Sequence, residues 1–576
     1  MNANTFVAVA SMVLVVTYLL VMGIDTDSSS DKTRFFPEST LIYYEQNTGV
    51  QSLRGFAASP LGQKIKTIDF RETAKEIDAQ EDLVVSFEKV QSFYKELLDD
   101  EIFNELFSKN FALGLVTSDR QEYQSYNDLE SFLRQNTIIV TEPKHNARFL
   151  TFAAKNYDRF SDEYSLSVSQ YGKHHINRIA VSTEQLSVVA IDGLLVSSLN
   201  ERLLRKSIDV FDGERAGLKT SPPFQAITNA TGSADHLLYI EMEAIRTFLV
   251  NFITEKQHPW KELLLKELQT TTGFTAVGYA AWANDALLID KIIAHYNKDT
   301  VNKIVRHHLE IAPVESSMLS FTSSSPTAYY WSNTLDFRHF LPYLLRDQSV
   351  SPGLDDFESK IEQQSGQNMA EIFAALGEEV SVVVETGDPQ SFFPVPLTAM
   401  FVQIADVVKV KTGIEKIVNS TGIPIKEQVY GPVSYHYWAG SPQDGLKPLY
   451  GFLGNYLFLA NSSNLLQRIV DNYKTGKTVA QIGDVKDIDP GFIRKNNSLT
   501  YFNNVELIDI AKKVLSFSST MLALEDRTIA YKSQIIISDI INPLLEGLKM
   551  YDRSCTRSYF TEDLVIVESM TSRANR

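Results

Sequence analysis

The side chains most able to do chemistry in this sequence are scattered. Thr475 to Thr478 spell Thr-Gly-Lys-Thr, a fragment of the loop whose backbone amides cradle phosphates. That loop needs a glycine five residues before its second glycine, and a strand ahead of it. Position 471 is Asp471 and the pattern ahead of it is helical, so the segment reads as a turn. His174–His175 and His307–His308 are the histidine pairs. Adjacent residues point about 100° apart on a helix and to opposite faces on a strand, a poor geometry for one metal ion. No His-Glu-x-x-His stretch and no cysteine cluster assists them. The single cysteine, Cys555, has Arg553 and Arg557 beside it but no histidine or asparagine pattern to activate it, so it reads as a small, partly buried residue.

Neither a Gly-x-Ser-x-Gly elbow nor a Gly-x-Gly-x-x-Gly turn occurs. Asp99, Asp100 and Glu101 read as a solvated loop. A pair of carboxylates for acid–base work would be assembled by the fold, and spacing does not locate one. Tyr435 to Trp438, Tyr-His-Tyr-Trp, is the densest aromatic run. Strand alternation would put Tyr435 and Tyr437 on one face and His436 and Trp438 on the other. That suits a sugar or peptide platform, but a sheet packed on both sides is the expectation. The sequence therefore assigns no catalytic, cofactor-binding or metal-binding residue, and implies no cofactor.

The elements that would position such residues start from the composition. The chain has 576 residues, 44% hydrophobic and 22% charged, an ordinary globular balance. Its net charge of −17 repels phosphate backbones, which sets nucleic acid aside as a partner. One cysteine excludes an intrachain disulfide and fits a bacterial envelope protein or a cytosolic one.

Phe6 to Ile24 carries no charge over 19 residues. A helix of that length reaches roughly 28 Å, close to the thickness of a bilayer core. No basic residue precedes it, and Val21, Met22 and Gly23 make a poor cleavage site, so residues 1–24 read as an uncleaved membrane anchor. Lys32 and Arg34 just after it weigh mildly the other way on orientation. Even so, the expected arrangement is a single-pass protein with its bulk on the non-cytoplasmic, periplasmic side. Residues 25–34 read as a polar tether, and a fragment beginning near Thr33 is expected to fold without the anchor.

The body reads as a diverged duplication. Leu195 to Asp209 (LVSSLNERLLRKSID) matches Leu457 to Asp471 (LFLANSSNLLQRIVD) without a gap. Each reads as an apolar strand, a Ser/Asn cap and an amphipathic helix, and Gly213 and Gly476 follow. In the same register Leu238 to Ile245 falls on Thr500 to Leu507, with Tyr239 on Tyr501. At changed offsets Thr40 to Tyr44 resembles Thr327 to Trp331, and Asn284 to Asp290 resembles Glu562 to Glu568. Strands are expected at Phe111–Val116, Arg148–Ala153, Val380–Glu385 and Leu397–Val402. Helices are expected at Phe87–Leu98 and Asn368–Leu376, the latter closed by Gly377. Val505 to Met550 reads as two or three helices capping the second sheet. The fold class is α+β: two diverged repeats, 35–296 and 316–576 around a connector 297–315, each a mostly antiparallel sheet with packed helices.

Three pieces carry a resemblance: Pro37 to Tyr43 as an opening strand, Ser59 to Gly62 as a helix start, and the strand–cap–helix–glycine unit of Leu195 to Gly213 and Leu457 to Gly476. Together they resemble a bacterial family of exported proteins defined by a domain of unknown function. The resemblance implies an envelope location and transfers no catalytic residue. The function expected is a membrane-anchored scaffold or partner-binding protein without catalytic activity, with a protein partner in the envelope. The competing readings are a carrier of an apolar ligand in a pocket between sheet and helices, and a hydrolase with a fold-assembled carboxylate site.

Overall fold

The computed structural model describes residues 31–48, 50–78, 129–143, 164–181, 184–255, 261–283, 286–335, 368–387, 395–420, 422–439, 447–488 and 491–574, with parts of 104–117 and 359–366. The apolar run Phe6–Ile24, the expected helix Phe87–Leu98, the expected strand Arg148–Ala153 and the acidic Asp99 to Glu101 lie outside the described residues. Among those described, no helix is long and apolar enough to cross a membrane. The chain is mixed helix and antiparallel sheet, an α+β protein, and divides into two units. The first comprises Met1–Ala283 and Asp290–Asn302; the second comprises Asn284–Ile289 and Lys303–Arg576.

In the first unit the strands are β1 (Thr40–Gln46), β2 (Asn110–Val116), β3 (Thr137–Glu142), β4 (Tyr164–Tyr171), β5 (His174–Val181), β6 (Glu184–Ile191), β7 (Leu194–Ser198), β8 (His236–Glu241), β9 (Phe274–Ala283) and β10 (Leu287–Tyr296). Their order across the sheet is β4-β5-β6-β7-β3-β2-β1-β8-β9, with β10 beside β9. Its helices include α1 (Pro60–Thr67), α2 (Leu129–Asn136), α3 (Glu201–Phe211), α4 (Pro222–Thr231), α5 (Met242–Glu255) and α6 (Lys261–Thr270). Ser59 caps α1 by accepting from the Gly62 amide at 3.1 Å, with Pro60 in the first turn, where its missing N–H costs nothing.

The core of this unit is aromatic. Phe36, Tyr43, Phe224 and Tyr239 meet edge to face at 4.9 to 5.7 Å between ring centres. Gly114 on β2 lies against Phe36, whose ring a Cβ would meet at 2.3 Å, so only glycine lets that strand pass. The end of the expected tether is not loose. Lys32 is buried and donates to Glu45 at 2.9 Å and to Asn47 at 3.2 Å. Arg34 lies over the Phe211 ring and bonds to Asp192. The folded body thus starts by Asp31, because the charges of the linker find partners distant in sequence.

In the second unit the strands are β11 (Ala328–Ser332), β12 (Leu376–Glu385), β13 (Leu397–Ile404), β14 (Ile425–Tyr430), β15 (Val433–Trp438), β16 (Leu449–Leu453), β17 (Tyr456–Ala460), β18 (Ser498–Asn503), β19 (Tyr551–Phe560) and β20 (Leu564–Arg573). Their order is β14-β15-β16-β17-β13-β12-β11-β18-β19-β20, every pair antiparallel. Its helices include α7 (Met369–Phe373), α8 (Val407–Ser420), α9 (Ser463–Thr475), α10 (Asn504–Glu525), α11 (Arg527–Ile536) and α12 (Asn542–Leu548). Trp331, Tyr329, Phe321, Phe401, Phe458 and Tyr435 form the core.

Strand for strand, the two units follow the same strand order. Residues matched in sequence take matching places. Leu203 and Leu204 are buried on α3, as Leu465 and Leu466 are on α9. Asn200 and Ser462 cap those helices. Tyr239 lies opposite Tyr43, and Tyr501 lies opposite Tyr329. The match of Thr40–Tyr44 to Thr327–Trp331 therefore needs correction: Tyr43 takes the place of Tyr329, not of Tyr330. A bulge in β1 between Thr40 and Ile42 absorbs the difference. Gly377 is also corrected. It closes no helix but lies in β12, where a Cβ would meet the Gln403 side chain at 2.5 Å. The helix capped by Asn368 ends earlier, at Phe373.

Candidate functional site

The motifs singled out by sequence take structural places. Thr475 ends α9 and Gly476 stands at φ 67°, the left-handed cap that glycine adopts freely. Thr478 and Gln481 then cap each other across the next short turn. His174 on β5 bonds to Asp212 at 3.1 Å, while His307 and His308 lie on the helix Lys303–Leu309. No group of three or more His, Cys, Asp or Glu side chains converges on a metal position among the described residues. Cys555 is buried in the second core. On β15 Tyr435 is buried in that core with Tyr437 against it, while His436 stacks on Tyr450 at 5.1 Å and Trp438 lies near the same ring. The aromatic run is sheet packing.

The arrangement nearest to a catalytic set was not legible in the sequence. Ser317, Tyr456 and Glu379 meet in the second unit. The Ser317 hydroxyl lies 2.9 Å from both Glu379 and the Tyr456 hydroxyl. Glu379 also accepts from the Ser317 amide at 3.2 Å, from Trp331 Nε1 at 2.9 Å and from Gln403 Nε2 at 3.4 Å. Its lone pairs are committed to fixed donors, so it staples the Ser317 loop to β11, β12 and β13.

The charged cluster of the first unit is of the same kind. Arg178, hydrogen bonded to Glu201, holds that carboxyl below its ordinary range; burial opposes this, and Arg205 adds to it. Tyr171, at the end of β4, donates to Asp209 of α3 at 2.8 Å. Tyr430, at the end of β14, donates to Asp471 of α9 at 2.8 Å. Each ties a hairpin end to the helix that follows the fourth hairpin strand.

Two surfaces among the described residues suit a ligand or partner. A cavity of about 190 Å³ lies in the first unit, lined by Leu133 and Arg134 of α2, Thr137 and Ile139 of β3, Leu186 of β6 and Ser197 to Leu199 at the end of β7. The other is the corner between α10 and α11. Asn503 caps α10 from the Glu506 amide side, and Ile508 is buried where the helix lies against its sheet. Beyond it Val514, Met521 and Leu524 are exposed, with half-buried Phe517 between them. Spacings of three and four residues put all four on one face of α10. Asp526 ends α10 and caps α11 through the Thr528 and Ile529 amides, at 2.7 and 3.1 Å. Ile529 and Tyr531 follow, also exposed. Of Val505–Met550, then, the start covers the sheet, while the corner does not.

No family model and no curated protein matches the chain. Among solved structures, crystal form IV of TP0453 is similar at a TM-score of 0.24 and 12% identity, covering 47% of this chain and 81% of that one. Crystal form III of TP0453 is similar at 0.25 and 14% identity, covering 49% and 85%.

Proposed function

We propose that this chain is a membrane-anchored, extracytoplasmic scaffold without catalytic activity, built from two diverged copies of one α+β unit, and that it docks through the apolar corner of its second unit. The observation that carries the reading is the exposed stripe of α10 in that corner: Val514, Met521 and Leu524 are exposed on one helix face where solvated helices ordinarily present polar residues. The identical strand order and the matched caps and leucines support the duplication. The uncharged run Phe6–Ile24 supports the anchor.

The carrier reading has the cavity beneath α2 as its support. At about 190 Å³ it compares with the roughly 150 Å³ apolar cavity that admits benzene, so it suits a ring-sized apolar group. Among the described residues the Glu379 carboxylate, the nearest approach to a hydrolase site, is held by structural donors, which favours the scaffold over the hydrolase reading.

The test is the state of the protein in its membrane. Mass spectrometry of the extracted protein is expected to recover peptides from the N-terminal apolar run. Protease added to spheroplasts is expected to digest the body while the inner membrane stays sealed. A mature N-terminus between Gly23 and Lys32, or a body protected until lysis, would sink the reading.

A further inference from the structure

We propose that β4 is a docking edge for a second copy of this chain, the two β4 strands pairing antiparallel about Ser167 so that the sheets of two first units run on into one. The proposal depends neither on the anchor nor on the α10–α11 corner. Among the described residues β4 (Tyr164–Tyr171) pairs with β5 alone and so ends its sheet. An edge strand presents a row of unpaired backbone N–H and C=O groups, a template for one more strand. Proteins guard such edges with charge, proline or brevity. β4 has none of these: it runs for eight residues, YSLSVSQY, without a charge or a proline. Ser167, Val168 and Gln170 are exposed, Val168 at 53%.

The hairpin geometry fixes which groups point outward. A two-residue turn, Gly172–Lys173, joins Tyr171 to its partner His174, with Gly172 at φ 57°. The pair flanking such a turn exchanges both of its backbone hydrogen bonds, and bonded and non-bonded pairs then alternate along the antiparallel ladder. Ser165, Ser167, Ser169 and Tyr171 thus spend their backbone groups on β5. Tyr164, Leu166, Val168 and Gln170 turn theirs outward. Pairing two β4 strands about Ser167 sets Tyr164 opposite Gln170, and Leu166 opposite Val168, of the second copy. Each outward residue then meets an outward residue, and every outward N–H and C=O of both strands is paired. A slip of one residue would set outward groups against spent ones.

Residue types commit the edge to a second copy. About Ser167 the strand reads nearly the same in both directions: Leu166 and Val168 flank it, then Ser165 and Ser169, then Tyr164 and Gln170. Two-fold pairing needs such self-complementarity. It sets apolar opposite apolar and hydroxyl opposite hydroxyl, the cross-strand pairs that stabilise sheets. Ser169 Oγ is shielded from water without a hydrogen-bond partner among the described residues, and the same pairing brings Ser165 of the second copy opposite it. The second unit supplies the contrast. Its strand order ends on β14 (Ile425–Tyr430), which carries Lys426 and Glu427. Pairing β14 about Glu427 would set like charges opposite each other. The open edge is also held in shape, since Tyr171 is tied to Asp209 at 2.8 Å and Arg178 to Glu201 at 2.7 Å. A strand presented ready-made loses little freedom on pairing.

The experiment uses the full-length chain in non-ionic detergent, with single cysteines introduced on β4. Cys555 is fully buried, and the unsubstituted chain is the control. Ser167 lies on the two-fold axis in a non-hydrogen-bonded pair, where facing Cα atoms are about 4.5 Å apart, within disulfide reach. Gln170 is also exposed, but its copy would lie six residues along the strand, roughly 20 Å away. Mild oxidation is expected to link most Ser167→Cys chains into pairs and few Gln170→Cys chains. Light scattering corrected for detergent is expected to give twice the 64.9 kDa of one chain. Val168→Pro removes an outward N–H while leaving the β5 ladder its bonds, and should return the particle to a single chain. Ser167→Lys should do the same by setting like charges opposite each other.

An unchanged thermal transition shows that each variant folds. If Val168→Pro shifts it, Ser167→Lys, which keeps every backbone group, carries the test. A chain that stays single at all concentrations short of aggregation, with Ser167→Cys left unlinked, overturns the proposal. A pair that survives both substitutions lies on another surface and overturns it too. Equal linking at positions 167 and 170 is the mark of random collision and does the same.

Discussion

Tyr43 and Tyr239 face each other across adjacent strands of the first unit, and Tyr329 and Tyr501 do so in the second. All four are buried, and burial pushes each phenol above its ordinary value, Tyr239 to about 12. An unfolded tyrosine loses its proton near pH 10, while these keep theirs in the fold. The unfolded state therefore gains on the native one once pH exceeds 10. Their contribution to stability is whole below that value and is lost as pH rises toward and past 12. The slope is about 1.4 kcal/mol per pH unit for each tyrosine. Urea unfolding across this range should show a midpoint that falls steeply above pH 10, with phenolate absorbance appearing together with unfolding. Tyr239→Phe should flatten the fall. A midpoint level to pH 12 would contradict the burial.

At the scale of elements, the strand–cap–helix unit shows what a sequence can and cannot reveal. Leu195–Asp209 and Leu457–Asp471 were legible because all their signals are local: an apolar run, a capping side chain, a helical period. The strands β2, β12 and β13 were legible for the same reason. Gly377 was misread because the partner that demands a glycine there, Gln403, is on another strand. The one-residue slip at Tyr43 came from a bulge that only pairing with β2 exposes. The Ser317–Glu379–Tyr456 staple joins residues far apart in the chain and had no local mark. Within the legible unit, Leu204 and Leu466 are buried on equivalent helix positions. Replacing either with alanine should cost about 2–5 kcal/mol, the transfer term plus the cavity left behind. Chemical denaturation of Leu204→Ala and Leu466→Ala measures it, and a loss below 1 kcal/mol from either would show a helix less firmly seated than its burial implies.

For the whole molecule, the strand order was the least legible feature, since β3 pairs with β7 and β1 with β8 over long stretches of chain whose patterns are silent about partners. The same holds for where the body begins. Sequence put the polar linker through Arg34, yet Asp31 bonds to Thr33 and Lys219, and buried Lys32 pairs with Glu45, which also accepts from Tyr43 at 2.8 Å. A fragment starting at Thr33 discards Lys32 and leaves the Glu45 carboxylate, largely shielded from water, without its cation. Breaking a buried pair from one side costs about 3 kcal/mol or more, because the remaining charge has lost its compensation. A fragment starting at Asp25 keeps the pair. The longer fragment should therefore unfold at a distinctly higher urea concentration than the shorter one. Lys32→Met in the longer fragment should reproduce most of the difference, which separates the ion pair from any effect of length. Glu45→Leu added to Lys32→Met should restore part of the loss by removing the stranded charge. Equal midpoints for the two fragments would mean that the body's first strand holds its place without the linker's lysine.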